Sequence, residues 1–292
     1  MRVPPVALSI AGFDPSSGAG ITADIKTAAA FDCYAVTAVT ALTVQSTQGV
    51  FAVEPVRPEI IRQTLDCLRQ DFDIAAVRIG MLGSAPVAEV VADFLENERL
   101  PNIVVDPVIR SSSGAALIDE PGLETIRRRL LPLADLITPN ADEAALLTGL
   151  AGLSESETSW DAAQPRIEAY AGELHRIGSR TVLVTGGHLR EPVDFLSVAY
   201  SHHRSDTRIY SGARIEARST HGTGCALAMA VACCLAKASA GKGIEAARDI
   251  VSLDSAITSA RQFVSAAIEA AYPLGKGIGP INHLSALRRV SE

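Results

Sequence analysis

The residues HGTGC, His221 to Cys225, place two glycines around a threonine and end on a thiol, directly before the apolar segment ALAMAVACCLA. Glycines let a backbone approach a ligand closely, and the unpaired N–H groups at the start of the following helix point outward with the helix dipole behind them. Gly222, Thr223, Gly224 and Cys225 thus form a candidate anion hole, suited to negative charge developing on a transferring phosphoryl group. Cys225 occupies a position where a helix terminus lowers the pKa of a thiol. The plainer reading is a tight turn into a buried helix, with the cysteine there for packing, as Cys233 and Cys234 are read.

Other candidates follow predicted strands. Gln45 closes an apolar run. It is either a satisfied core amide or a reader of a heterocycle's amino group and ring nitrogen through its paired donor and acceptor. Asn140 and Glu143, in TPNADEAALL, have the spacing of a capping box, and their oxygens equally suit magnesium held through water and substrate phosphates. The segment GFDPSSGAG is glycine-rich but lacks the lysine and spacing of a phosphate-binding P-loop. Asp24, in the first turn of the next helix, suits the macrodipole in any case.

These residues need a scaffold that gathers strand ends on one rim. Val6 to Ile10, then a glycine loop, then ITADIKTAAAF read as strand, turn and helix. The alternation continues through YAVTAVTALTV, PEIIRQTLDCLRQDF, AAVRIGML, APVAEVVADFLENE and NIVVDPVI, then PGLETIRRRLLPLA, DLITPN, ADEAALLTGL, RIEAYAGELHRIG and TVLVTGG. The strands are nearly continuous apolar runs, as a sheet covered on both faces requires. DFLSVAY and RIYSGARIEARS read as antiparallel edge strands before long helices from Cys225 and from Asp254. Gly152 to Pro165 is read as an exposed loop. The expectation is one α/β domain over residues 1–292, with a mostly parallel central sheet and helices on both faces. In such sheets ligands bind beyond the carboxyl ends of the strands, which places Gly12, Gln45, Met81, Asp106, Val108, Asn140, Glu143, Thr185 to His188, and His221 to Cys225 on one rim.

Composition narrows the partners. A net charge of −7 and an aromatic content of 4% argue against a nucleic-acid partner, which needs basic patches and stacking platforms. The longest apolar run, Ala226 to Ala236, is too short to span a bilayer. Five scattered cysteines, with no Cys-x-x-Cys pair, suit a reducing compartment. A cytoplasmic protein with neither membrane nor nucleic-acid contact is expected.

Eight segments in order, SIAGFDPSSGAGITADIKT, TALTVQSTQGV, RIGMLGS, VVDPVIRSSSG, LITPNADEAALLTG, VTGGHL, STHGTGCALA and GIGPINH, resemble the hydroxymethylpyrimidine/phosphomethylpyrimidine kinases of thiamine biosynthesis, in the ribokinase superfamily. The resemblance runs from about Val6 to His283. It implies a ribokinase-like three-layer fold and a homodimer. It also implies ATP-dependent, magnesium-assisted phosphorylation of 4-amino-5-hydroxymethyl-2-methylpyrimidine, and then of its monophosphate to the diphosphate. It assigns Gln45, Asp24, Gly12, Met81 and Val108 to the pyrimidine, and Gly222, Gly224 and Cys225 to catalysis, the cysteine standing where the superfamily usually has aspartate. Thr185, Gly187 and Thr223 fall on the nucleotide side, and Asp106, Asn140 and Glu143 with magnesium and phosphate.

The chain departs from the family pattern at SSSGA, Ser111 to Ala115, where relatives commonly read AKSGD, and at TGGH from Thr185, where they read KGGH. Ser112 and Thr185 therefore replace two lysines. The alternatives that remain are a pyridoxal or pyridoxine kinase on the same fold and a non-catalytic pyrimidine-binding protein. The intact HGTGC argues against the binder, which has no need of an oxyanion site.

Overall fold

The computed structural model describes residues 3–111, 114–187, 189–201, 204–239 and 250–285. Its centre is a nine-stranded sheet in the order β3-β2-β1-β4-β5-β6-β7-β8-β9. The parallel part comprises β1 (Val6–Phe13), β2 (Tyr34–Ser46), β4 (Ile74–Ile79), β5 (Ile103–Val105), β6 (Leu136–Ile137) and β7 (Thr181–Val184). β3 (Gly49–Pro55) pairs antiparallel to β2 at one edge, and β8 (Val193–Ser201) and β9 (Arg204–Ser211) form the antiparallel other edge. The chain leaves β1 for β2 on one side and returns to β4 on the other. That reversal opens a crevice between the ends of β1 and β4, where open α/β sheets bind ligands.

Two helix layers cover the sheet. On one face, α2 (Pro58–Asp71), α3 (Ala85–Glu98), α4 (Glu120–Thr125), a π-helical turn (Ile126–Leu130), α5 (Leu131–Leu133), α6 (Ala141–Thr148) and α7 (Trp160–Ile177) share a core with Leu65, Val91, Leu130, Leu147 and Leu174. On the other face lie α1 (Gly20–Ala30), α8 (Thr223–Ser239) and α9 (Ile250–Glu269). Helix α8 is buried all round, from Ala226 through Cys233, which is why it is apolar all round rather than amphipathic. Its alanines let β4, α1 and α9 approach closely, and this packing fixes the direction in which its N-terminus points. No helix among the described residues is long and apolar enough to cross a membrane.

Three expectations need correction. The edge strand read in RIYSGARIEARS lies earlier, since β9 ends at Ser211 and residues 212–219 form no strand. YAVTAVTALTV does not end as a fully buried strand: β2 runs on to Ser46 and turns back as β3, with Leu42 and Val44 exposed. The apolar run VFAV, Val50 to Val53, carried that signal, hidden behind the polar turn. The loop read from Gly152 to Pro165 stops at Ser159, because α7 begins at Trp160 and carries Pro165 within it. Pro165 is the sixth residue of α7, so it leaves the Asp161 carbonyl without its intrahelical donor, a cost that the burial of Ala163, Ile167 and Tyr170 on the core face offsets.

Candidate active site

A cavity of about 520 Å³ opens at the crevice, and its wall includes Gly12, Gln45, Met81, Asp106, Val108, Asn140, Glu143, Thr185 and Gly222 to Cys225. Residues far apart in sequence thus meet because they lie in or just beyond the ends of neighbouring strands, or at the start of α8 above them. Asp24 and Gly187 stand outside this wall. Asp24 faces inward from α1, fully buried; it accepts a hydrogen bond from Ser9 Oγ at 2.5 Å and pairs with Arg78 Nη1 at 3.1 Å. The Gly187 carbonyl accepts from Arg214 Nη2 at 3.1 Å. Ser112 and His188 lie outside the described residues.

The candidate anion hole has, at Gly222, a local geometry that requires glycine. Gly222 adopts φ +89, and a Cβ there would lie 1.8 Å from the Gly18 carbonyl oxygen; Gly18 in turn has no room for a Cβ beside the His221 ring. The loop opposite is folded around Asp14, whose carboxylate accepts from the amides of Ser16 at 2.8 Å, Gly18 at 3.1 Å and Ala19 at 2.8 Å. His221 Nε2 lies 2.8 Å from Asp14 Oδ2 and 3.2 Å from the Gln45 side-chain nitrogen. Asp14 and His221 therefore tie together the glycine loop, the helix start and the Gln45 amide. Sequence reasoning gave Asp14 no role, although it is the one acid in GFDPSSGAG.

Arg78 was missed as well. Its side chain is fully buried, and it pairs with Asp24 at 3.1 Å and with Asp106 at 2.5 Å while hydrogen-bonding the Cys225 side chain. The signal was a cation inside the apolar strand AAVRIGML; a buried charge is retained only when paired. This cluster overturns the expected effect of the helix terminus on the thiol. Burial pushes Cys225 up to about 11, the charges of Asp106 and Asp24 push the same way, and Arg78 only partly offsets them. Burial likewise raises Asp24 to about 6 and holds Asp106 above the usual carboxylate range, in both cases against the pull of Arg78. The thiol is neutral at neutral pH.

Asn140 and Glu143 form the capping box their spacing suggested. Asn140 Oδ1 accepts from the Glu143 amide at 2.9 Å, and Glu143 Oε2 accepts from the Asn140 amide at 2.9 Å. Glu143 also accepts from the Ile109 amide, while burial and the charge of Asp106 push it up to about 8. Among the described residues no group of three or more His, Cys, Asp or Glu side chains is placed to hold a metal ion. What the corner offers is oxygen only, from Asp106, Asn140, Asp142 and Glu143 on one wall. That donor chemistry fits magnesium held mainly by water and substrate phosphates.

A mostly parallel sheet between two helix layers, with a glycine-rich helix start lining the cavity at its switch point, places this molecule among the ribokinase-like kinases. The phosphomethylpyrimidine kinase family model matches residues 14–282. The chain is 39% identical to the hydroxymethylpyrimidine/phosphomethylpyrimidine kinase of Streptomyces coelicolor over 97% of this chain and 96% of that protein. It is also 39% identical to the thiamine biosynthesis bifunctional protein ThiED of Geobacter sulfurreducens, of which it spans 53%. Among solved structures, phosphomethylpyrimidine kinase from Clostridium difficile superposes with TM-score 0.71 at 31% identity, over 89% of this chain and 98% of that one. An ADP complex of Bacillus subtilis pyridoxal kinase superposes with TM-score 0.77 at 30% identity, over 98% and 99%. The chain belongs to the phosphomethylpyrimidine kinase family.

Proposed function

We propose that this protein transfers the terminal phosphoryl group of ATP to the hydroxymethyl group of 4-amino-5-hydroxymethyl-2-methylpyrimidine, and then phosphorylates the monophosphate to the diphosphate. The observation that carries the reading is that Gln45 and the Gly222 to Cys225 helix start share one cavity wall, so that a ring reader and a phosphoryl-binding turn serve the same bound molecule. Gly12, Met81 and Val108 complete the ring pocket, and Asp24 acts on it through Arg78. The backbone amides from Gly222 to Cys225 hold the transferring group, Cys225 attends the acceptor, and Thr185, Gly187 and Thr223 serve the nucleotide. Asp106, Asn140 and Glu143 would hold magnesium through its water shell; the ion supplies charge neutralisation between phosphates. Catalysis is then mostly positioning and electrostatics. A homodimer and a cytoplasmic location belong to the same proposal. Exposed Leu42, Val44 and Phe51 on the β2–β3 hairpin support the first, and five free thiols support the second.

The test is incubation with Mg-ATP and the pyrimidine alcohol, pyridoxal or pyridoxine, with products identified by mass. Absence of any phosphorylated pyrimidine would sink the reading. Pyridoxal phosphorylation is the second reading, favoured by the pyridoxal kinases among the structural neighbours.

Gln45→Leu is expected to leave the fold intact and weaken pyrimidine binding by about tenfold or more, since a buried donor and acceptor pair contributes roughly 1–3 kcal/mol. Calorimetric affinity unchanged in the folded variant would reduce Gln45 to a core amide. Thr185 lines the cavity, and its amide donates to the Pro139 carbonyl at 2.9 Å, so its backbone position is fixed. Thr185→Lys is expected to tighten ATP binding several-fold by adding a cation beside phosphates; an unaltered nucleotide Kd places position 185 away from them.

A further inference from the structure

The Gln45 amide sits between two groups whose hydrogen-bonding roles are fixed elsewhere. Its nitrogen lies 3.2 Å from His221 Nε2 and its oxygen 3.1 Å from Thr43 Oγ1. His221 Nε2 is also 2.8 Å from Asp14 Oδ2. Burial alone would raise Asp14, but hydrogen bonds from His221 and Ser16 bring it down to about 2, and an ionised carboxylate only accepts. His221 Nε2 therefore bears a hydrogen and cannot accept one from an amide NH2. On the other side, Thr43 Oγ1 has a single hydrogen and gives it to the Phe13 carbonyl 3.0 Å away. Toward Gln45 that hydroxyl can only accept. Both neighbours require the amide oxygen to face His221 and its NH2 to face Thr43. The two ends of an amide are interchangeable in shape, so a half-turn of the terminal group gives Thr43 an N–H to accept and lets the single Nε2 hydrogen of His221, directed mainly at Asp14, be shared with the amide oxygen in a three-centre bond.

We infer that His221 is a specificity-determining positioning residue: it locks the Gln45 amide with its oxygen toward the Gly222 turn, and so selects rings carrying a hydrogen-bond donor beside the hydroxymethyl-bearing carbon. The inference rests on the function proposed above. With one lone pair turned to the hydrogen that His221 shares with Asp14, and one N–H to Thr43, the amide keeps one acceptor and one donor for a ligand. His221 directly precedes Gly222, so the acceptor is on the anion-hole side. A ring whose alcohol faces Cys225 brings the substituent next to its hydroxymethyl group to that same side. In the aminopyrimidine this is an NH2, which donates to the amide oxygen, and the adjoining ring nitrogen accepts from the amide NH2. In pyridoxal it is an aldehyde, whose oxygen only accepts and would face another acceptor. A site built around a donor rejects the analogue that lacks it far more strongly than apolar contacts do.

Two measurements decide this. In ligand-free, isotope-labelled protein, His221 Nε2 shows the nitrogen shift of a protonated site, and the Gln45 NH2 protons show Overhauser contacts to Thr43 and none to the His221 ring; the opposite pattern overturns the assignment. In kinetics, His221→Leu frees the amide to turn and is expected to lower the preference for the aminopyrimidine over pyridoxal, in kcat/KM, by about tenfold or more. The change falls chiefly on the KM for the pyrimidine. His221→Gln, whose amide can still donate to Asp14 and Gln45, recovers most of the preference. An unchanged preference in a folded His221→Leu protein overturns the inference, and if that variant does not fold, the spectra of the unaltered protein decide it. If the unaltered protein phosphorylates neither ring, the proposed function fails and ring selection with it, whereas the amide orientation still stands or falls on the spectra.

Discussion

Gly222→Ala is expected to lower kcat by about 10²-fold or more, while Gly224→Ala, two residues on, costs a few-fold at most. Both positions belong to the same glycine-rich turn, and composition alone treats them alike. The structure separates them. At Gly222 the backbone is left-handed, and the added methyl would meet the Gly18 carbonyl oxygen at 1.8 Å and its carbon at 2.9 Å. Both contacts are backbone, so relief requires the helix start and the loop around Asp14 to move apart. At Gly224 nothing lies within 4 Å of an added Cβ. Donors that stabilise a transferring phosphoryl group must sit where its charge develops, and a displacement of about 1 Å at such a site costs on the order of 10²-fold. Steady-state kinetics of both variants, with melting temperatures to confirm folding, check this. Equal losses at the two positions would mean that the amides of this turn do not touch the reacting phosphoryl group.

The parts of this arrangement that were legible in the sequence are those set by backbone pattern. Continuous apolar strands alternating with amphipathic segments dictate a covered parallel sheet, and the residues after each strand then share a rim. Gly12, Gln45, Met81, Asp106, Val108 and the HGTGC turn were found that way, and all of them line the cavity. What was not legible depends on which side chains face each other across that rim. Arg78 lies in a strand whose neighbours are apolar, and only the approach of α1 and α8 to β4 brings Asp24 and Cys225 to its guanidinium. Asp24 was assigned to the pyrimidine by the family resemblance alone, and the helical turn carries its carboxylate inward onto Arg78. The Cys225 thiol pKa went astray for a related reason. A helix terminus acts over one turn, whereas the desolvation and the two carboxylates that outweigh it come from β5, α1 and the packing of α8, none of them local in sequence.

Cys225→Asp is expected to retain much of the first phosphorylation and to lose most of the second. The first acceptor is an alcohol, which gains from a partner able to take its proton; the second is a phosphate, already ionised at neutral pH. The neutral thiol fits the second acceptor, and to the first it offers a hydrogen-bond acceptor rather than a base. Held near 11 by burial, it places no charge against a phosphate. Toward an alcohol, its sulfur can accept the hydroxyl hydrogen bond while Arg78, hydrogen-bonded behind it, supports charge that develops there. A carboxylate at position 225 joins Asp24 and Asp106, which already share the one guanidinium, and adds a fixed negative charge. At about 4 Å from a phosphate charge and an effective dielectric of 20, the repulsion costs about 4 kcal/mol, or roughly 10³-fold in rate. Cys225→Ala, which adds no charge and removes the sulfur, is expected to slow the first step more than the second. The amides from Gly222 onward remain in both variants, so both keep residual activity. The measurement is the rate of each step taken separately, starting once from the alcohol and once from the monophosphate. Equal losses in both steps for both variants would reject the two-acceptor role and leave Cys225 as a packing residue at the mouth of α8.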